Sequence, residues 1–401
     1  MTQPVAPRDS NTWLVGTRKG AWAVRRTGNG PKDWTAGEPW FFGCQVHVLV
    51  QDPRGAGTIL AAVKTGHLGP TVYRSVDAGR TWQESARPPK FKTPAEYAGS
   101  ALPEDDPRRK GRTVDHVFWL APGHASTPGR WYAGTSGIGL FKSDDDGMTW
   151  DSVDGFNDLP VLRTWCYDFS ELTPDGAKCH SVQTHPADAN RLVVALSGGG
   201  VFVSDDAGGT WRPVNLGVAM DFSPPKDDGS EYEFGHDPHD LVIHPAKPDR
   251  WYQQNHCGIY RLDWQAGAAA QRWQRIGKNM PKDVGDIGFS MTCHPRNPDV
   301  CWVVPMDGGT VWPRTSVGGK PAVYRTRDGG ASWQRLDAGL PERAWYTVFR
   351  QAMAHDGRDP LGLVFGTTSG DLYFSSDEGD RWHCVAQHLP KLFSVTAGRL
   401  G

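Results

Sequence analysis

Four of the fourteen histidines share one spacing. His47, His116, His180 and His239 each stand six residues before a proline, namely Pro53, Pro122, Pro186 and Pro245. Each lies near the start of a short apolar run that the proline closes. Imidazole is neutral enough near pH 7 to bind metals and is their commonest side-chain ligand. Three or four converging imidazoles suit zinc, copper or iron, and a catalytic site of that kind keeps a position open for water or substrate. The spacing therefore predicts that at least three of the four bind one divalent transition metal. Two further runs break the series: Phe289 stands six before Pro295, and Arg350 six before Asp356. They would leave one side of the ring open.

Other residues could complete a reaction centre there. His67 in Gly66-His67-Leu68-Gly69-Pro70 and His256 in Asn255-His256-Cys257-Gly258 are acid–base candidates in glycine-rich loops. Arg314 and Arg350 suit the orientation of an anionic group. Tyr346 is a further catalytic candidate, with Arg163, Tyr167, Asp286 and Trp312 in adjoining loops. Asp115, Asp240 and Asp286 are the nearest acceptors for the second imidazole nitrogens. By contrast His185, His244 and His294 directly precede a closing proline and read as turn residues. Cys179 neighbours His180, but adjacent strand residues face opposite ways, so its thiol is expected between sheets.

A repeat must position these residues. Ser75 to Trp82, Ser143 to Trp150 and Ser204 to Trp211 read Ser-x-Asp-x-Gly-x-Thr-Trp. Thr326 to Trp333 and Ser375 to Trp382 keep the Asp and the Gly. Ser and Asp oxygens can bond local backbone N–H groups in a tight turn. Gly supplies a backbone conformation that side chains resist, and the Trp buries a large ring between sheets. Five copies cannot share one pocket, so Asp77, Asp145, Asp206, Asp328 and Asp377 read as structural. Each repeat holds an apolar strand closed by a Pro turn, a second strand, a Gly-rich loop, a third strand entering the Ser/Asp turn, and a fourth leaving it.

The units begin at Val46, about Asp115, His180, His239, near Gly288 and near Tyr346. The fourth lacks the Ser/Asp turn. Thr12–Gly16, Ala21–Arg26 and the region of Trp34 lack a first strand, and Leu392–Ala397 lacks the other three. Joined, they make a seventh unit. The whole chain, residues 1–401, thus reads as one all-β domain: a closed seven-bladed β-propeller. First strands line the central channel. The histidines begin them at the end away from the Ser/Asp turns, here called the top. Long connections at Pro88–Arg112, Gly155–Lys178 and Gly217–Pro238 gather at the same end.

The five turns resemble the Asp-box, or bacterial neuraminidase repeat. Over about residues 12–397 the chain resembles the seven-bladed Asp-box proteins of the bacterial glycosyl hydrolase or exo-α-sialidase-like group. That resemblance implies a hydrolase acting on a carbohydrate-type or other small substrate, with an anionic one among the possibilities. A metal-free carbohydrate enzyme (an exo-glycosidase or a lyase of uronic acid sugars) and a non-catalytic binding or assembly propeller stay open beside the metal-dependent enzyme.

Bulk properties narrow the classes. Formal net charge is −2 across 401 residues, which gives no electrostatic case for nucleic acid or an anionic membrane. No apolar run is long enough to span a bilayer. Met1 to Asn11 has no basic-then-apolar signal pattern. Seven cysteines without a Cys-x-x-Cys pair read as reduced thiols of a cytoplasmic protein.

Overall fold

A computed structural model describes residues 11–55, 57–97, 111–166, 177–308 and 314–400 of the protein. These residues form seven four-stranded antiparallel sheets. The innermost strands are Gln45–Gln51, His116–Pro122, Cys179–Thr184, Pro238–Ile243, Gly288–Cys293, Met353–His355 and Leu392–Gly398. Each touches the next in cyclic order, and the last touches the first. The protein is a seven-bladed β-propeller. The last blade is split as expected: Leu392–Gly398 pairs antiparallel with Thr12–Thr17, with Trp13 opposite Ala397 and Leu14 opposite Thr396. Joining the termini in one sheet removes the edges an open ring would expose.

Alternation within each strand sends side chains to both faces, so apolar residues collect between blades rather than in one central core. Seven buried clusters result, one for each blade interface. Trp150 lies in the cluster between the first and second blades, and Trp382 in that between the fifth and sixth.

The Ser/Asp turns are built alike. In the third blade, the N–H groups of Asp206 and Gly208 donate to Ser204 Oγ at 3.3 and 2.8 Å. Thr210 donates from both N and Oγ1 to the Asp206 carboxylate, at 2.8 and 2.7 Å. These four bonds lie wholly within the turn. The residue pair at its apex is left-handed in all five copies, as at Ala207 (φ 59°) and Gly208 (φ 99°). A Cβ on Gly330 would come within 2.5 Å of Ile276, on the preceding blade, so glycine there also lets two blades close. The apex N–H of Ala207 donates to Asn190 in the turn that follows the inner strand. This bond puts the Ser/Asp turns and the closing turns at the same end, opposite the starts of the inner strands. In the fourth blade, which lacks the motif, buried Arg250 bonds Asp263 at 2.5 Å and Asp299 at 2.8 Å instead.

Candidate functional site at the mouth of the channel

Each long connection delivers a charged or polar residue to the top of an inner strand, and a kink in that strand re-aims the next side chain. Pairing with the second strand shifts register at His47, Phe118, His180, His239 and Phe393, and across Phe289–Ser290. Such bulges bend a strand and redirect a side chain. Here they form one tier around the channel. Two residues earlier stand Gln45, His116, Lys178, Asp237 and Lys391, which form a second tier above it.

The expected register of four histidines is therefore corrected to three. Pro53, Pro186 and Pro245 follow their strands by two residues, whereas Pro122 is inside its strand, paired with Trp131. Counting six back from it lands one pleat too high. Phe118 holds the equivalent position in the second blade, and His116 sits above it. In the sixth blade Asp356 follows its strand by one residue, so Gln351 rather than Arg350 takes the register. Asp356 replaces the proline as a turn former, accepting from the N–H groups of Arg358 and Gly362.

The histidines then separate into two groups. His47 stacks on His116, with ring centroids 3.8 Å apart and planes within 11°, and Phe393 stacks on the other face of His47. Asp115 accepts from His116 Nδ1 at 2.6 Å and from Lys64 at 2.7 Å. His47 Nε2 is buried with no hydrogen-bond partner among the described residues. Its burial and the neighbouring His116 push the His47 imidazole well below its ordinary pKa.

Asp237 organises the second group. Its Oδ1 lies 3.1 Å from His180 Nε2, and its Oδ2 lies 3.3 Å from His239 Nε2 and 3.8 Å from His256 Nδ1. Ser197 Oγ is 2.6 Å from the same His180 nitrogen. His239 Nδ1 is 2.7 Å from the Gly288 carbonyl of the next blade. A carbonyl oxygen can only accept, so Nδ1 carries the proton. In the neutral ring Nε2 then presents a lone pair to the Asp237 carboxylate. Two acceptors face each other at 3.3 Å, and an arrangement of that kind is satisfied by a proton or a cation between them. Burial pushes His180 down to about 3 and His256 to about 4, and lowers His239. Burial alone would raise the Asp237 carboxyl; the imidazoles of His180 and His239 beside it hold it well below the usual carboxylate range.

Among the described residues, Asp237, His239 and His256 form the one group of three potential ligands whose atoms all lie within 4.8 Å of one another. No three of His47, His116, His180 and His239 do so. The imidazoles that meet are His239 and His256, with Asp237 as the third member.

Other expected residues divide in the same way. Arg350 lies at the mouth, its guanidinium 4.4 Å from the Phe289 ring centroid, and its charge depresses His180, His239 and His256. Arg314 acts on His256 in the same sense. His67 is exposed on a hairpin turn, and no hydrogen bond or ring contact ties it to either group. Tyr346 is buried in the core between the fifth and sixth blades beside Phe365 and Tyr373, not in the channel. Of the expected acceptors, Asp115 does hold His116. Asp240 instead accepts from the backbone of Leu241 and Met291, and Asp286 pairs with Arg275. Cys179 packs in the core between the second and third blades, as expected. Tyr167 and Trp312 lie outside the described residues.

Asp237, Lys178 and Lys391 were not singled out from sequence as site residues. Asp237 stands two before His239, and Lys178 two before His180. The two-residue period of a strand would have placed both on the histidine face.

The fold and this mouth define a class: a seven-bladed propeller with a histidine–carboxylate cluster at one end of its channel. No protein-family model matches the chain. The xyloglucanase Xgh74A of Acetivibrio thermocellus is 26% identical over 285 residues, which are 66% of this chain and 28% of that protein. The chain thus spans under a third of the length of the curated relative it matches. The GH74 xyloglucanase of Xanthomonas campestris superposes with a TM-score of 0.62 at 19% identity, over 95% of this chain and 53% of that one. A putative 6-phosphogluconolactonase from Bacteroides uniformis gives 0.54 at 10% identity, over 97% and 99%. At these identities the solved structures establish the fold.

Proposed function

We propose that this protein is a carbohydrate-active, hydrolase-type enzyme of the Asp-box propeller group whose reaction centre is a divalent metal held by Asp237, His239 and His256. The carrying observation is the His239 Nε2–Asp237 Oδ2 approach of 3.3 Å, with the His239 proton committed to Gly288. Metal–nitrogen and metal–oxygen bonds of about 2.0–2.2 Å span ligand pairs at such separations. Two histidines and one carboxylate leave coordination positions open, as catalytic sites require. The Gly288 carbonyl fixes the His239 tautomer, the usual outer partner of a ligating imidazole. A divalent metal there supplies Lewis-acid and water-activating chemistry. Around it, His180 holds the other carboxylate oxygen, and Arg350 and Arg314 present positive charge to a substrate. The sequence likeness to a xyloglucanase supports the carbohydrate class.

A second reading has its own support. Asp115 fixes the proton of His116 on Nδ1, so Nε2 is left as an acceptor, and no described residue bonds it. An oriented imidazole of that kind can serve as a general base without metal. Hydrolysis of a panel of plant and bacterial polysaccharides, with and without a chelator, tests both. Activity abolished by the chelator and restored by zinc, manganese or iron supports the metal centre. Activity indifferent to the chelator but lost in His116→Gln supports the second reading.

A further inference from the structure

All seven cysteines are free thiols, and two of them face each other. Cys293 ends the innermost strand of the fifth blade, Gly288–Cys293, and Cys301 begins the next strand, Cys301–Pro305. The two strands are antiparallel, with Cys293 directly opposite Cys301. One residue further on, the His294 N–H donates to the Val300 carbonyl at 2.9 Å. Hydrogen-bonded and open pairs alternate along an antiparallel ladder, so Cys293 and Cys301 are an open pair. Such pairs bring their Cα atoms to about 4.5 Å, and disulfides form across Cα separations of about 4.4 to 6.8 Å.

The side chains agree with the register. Both cysteines are buried in the apolar cluster between the fourth and fifth blades, so both leave the sheet on the same face. The other strand cysteines have no such partner: Cys179 faces Leu196 and Cys384 faces Tyr373. Tyr252 of the fourth blade donates its hydroxyl to the Pro298 carbonyl at 2.7 Å and so ties that blade to the turn between the two cysteines.

We infer that Cys293 and Cys301 are a modification site, closing reversibly into a disulfide that staples the first two strands of the fifth blade. The co-reactant is a small disulfide such as oxidised glutathione. One cysteine thiolate attacks it and releases one glutathione thiol. The second cysteine thiolate attacks the resulting mixed disulfide and releases the other. One disulfide is lost and one gained, and the two protons of the cysteine thiols end on the two glutathiones. Where thiol reductants dominate the pair stays open; where disulfides dominate it closes.

Burial first, and then the adjoining Cys301 thiol, pushes Cys293 well above the ordinary thiol range. Thiolate is therefore scarce while the blades are packed, and exchange waits on local opening of the hairpin. Arg296 and Asn297 at its tip are exposed, and opening a short surface segment costs less than global unfolding. The staple fastens the far end of the strand whose first residue, Gly288, holds His239. It depends neither on the metal nor on the carbohydrate reading.

The test is mass spectrometry of the full chain after incubation with oxidised glutathione, in buffer and in urea below the unfolding transition, with remaining thiols blocked before digestion. Cys44 and Cys384 are only partly buried and report that the reagent works. The expected product is a linked peptide pair joining Cys293 to Cys301, formed faster in urea and reversed by dithiothreitol. Melts are compared in a Cys44→Ser, Cys384→Ser chain, so that adducts there do not enter. Closing a loop restricts the unfolded chain, and the oxidised form should melt about 3 °C or more above the reduced one. Cys301→Ala should lose both the link and the rise; if that variant fails to fold, the peptide analysis of the unaltered chain decides. Glutathione on Cys44 or Cys384 while Cys293 and Cys301 stay free in urea would overturn the inference. So would adducts on either that never close, or a linked chain that melts no higher than the reduced one.

Discussion

His239 donates its Nδ1 proton to the carbonyl of Gly288 at 2.7 Å and thereby turns Nε2 toward Asp237. One hydrogen bond between two blades thus decides what the other side of the ring can do. His239→Asn places an amide donor near Nδ1 and removes Nε2. Asn should keep most of the melting temperature while metal content and activity fall together. His239→Ala should lose the same activity and also about 0.5–1.5 kcal/mol of stability, the usual net worth of such a bond. Differential scanning calorimetry beside an activity assay checks this. An Asn variant with wild-type activity would show that Nε2 has no role.

The Ser/Asp turns predict a different signature. Asp145→Ala removes the acceptor of both Thr149 bonds and should cost about 0.5–2 kcal/mol, by analogy with lost helix caps. Turnover per folded molecule should not change. The turns also set an acid limit. Asp206 is held down to about 2 by hydrogen bonds from Thr210 and Ser204. Asp328 is likewise held at about 2; burial would raise it, but bonds from Ser332 and Thr326 win. Both values lie below the unfolded carboxylate value of about 3.9. Their stabilisation is full above pH 4 and lost as pH falls toward 2. Melts from pH 5 to 2 should show that loss, and Asp328→Ala should flatten it.

Much of this was legible in the sequence, for a physical reason. The Ser/Asp turn is local: every bond that defines it lies within a few residues, so its side chains are spelled out together. Five copies and a split seventh unit then give the ring. The site is not local. Whether His116 shares a register with His47 depends on where the second strand begins. Pro122, a turn former in other blades, is a paired strand residue here. A count from proline cannot see that. Asp237 was hidden differently, as an ordinary loop acid whose importance comes from three imidazoles on three separate segments.

Tyr346 carries a prediction of its own. Its hydroxyl is buried without a hydrogen-bond partner among the described residues. Tyr346→Phe should leave activity unchanged and should not destabilise, because it removes an unsatisfied polar group. Loss of turnover with an unchanged melt would return Tyr346 to the catalytic set.

Closure of the ring is testable by truncation. Ending the chain before Leu392 removes the innermost strand of the last blade and exposes Leu14 and Val15, now fully buried. The truncated chain should be insoluble or aggregate on purification. A soluble, monomeric, cooperatively melting product would show that the seventh blade does not depend on its closing strand.

The most direct test of the central claim is elemental analysis of untagged protein, purified without chelator, beside its Asp237→Asn variant. The proposed centre predicts close to one zinc, manganese or iron per chain in the wild type, and a large loss in the variant with the melt retained. Wild-type protein that carries no metal, cannot be loaded with any of the three, and is fully active would contradict it.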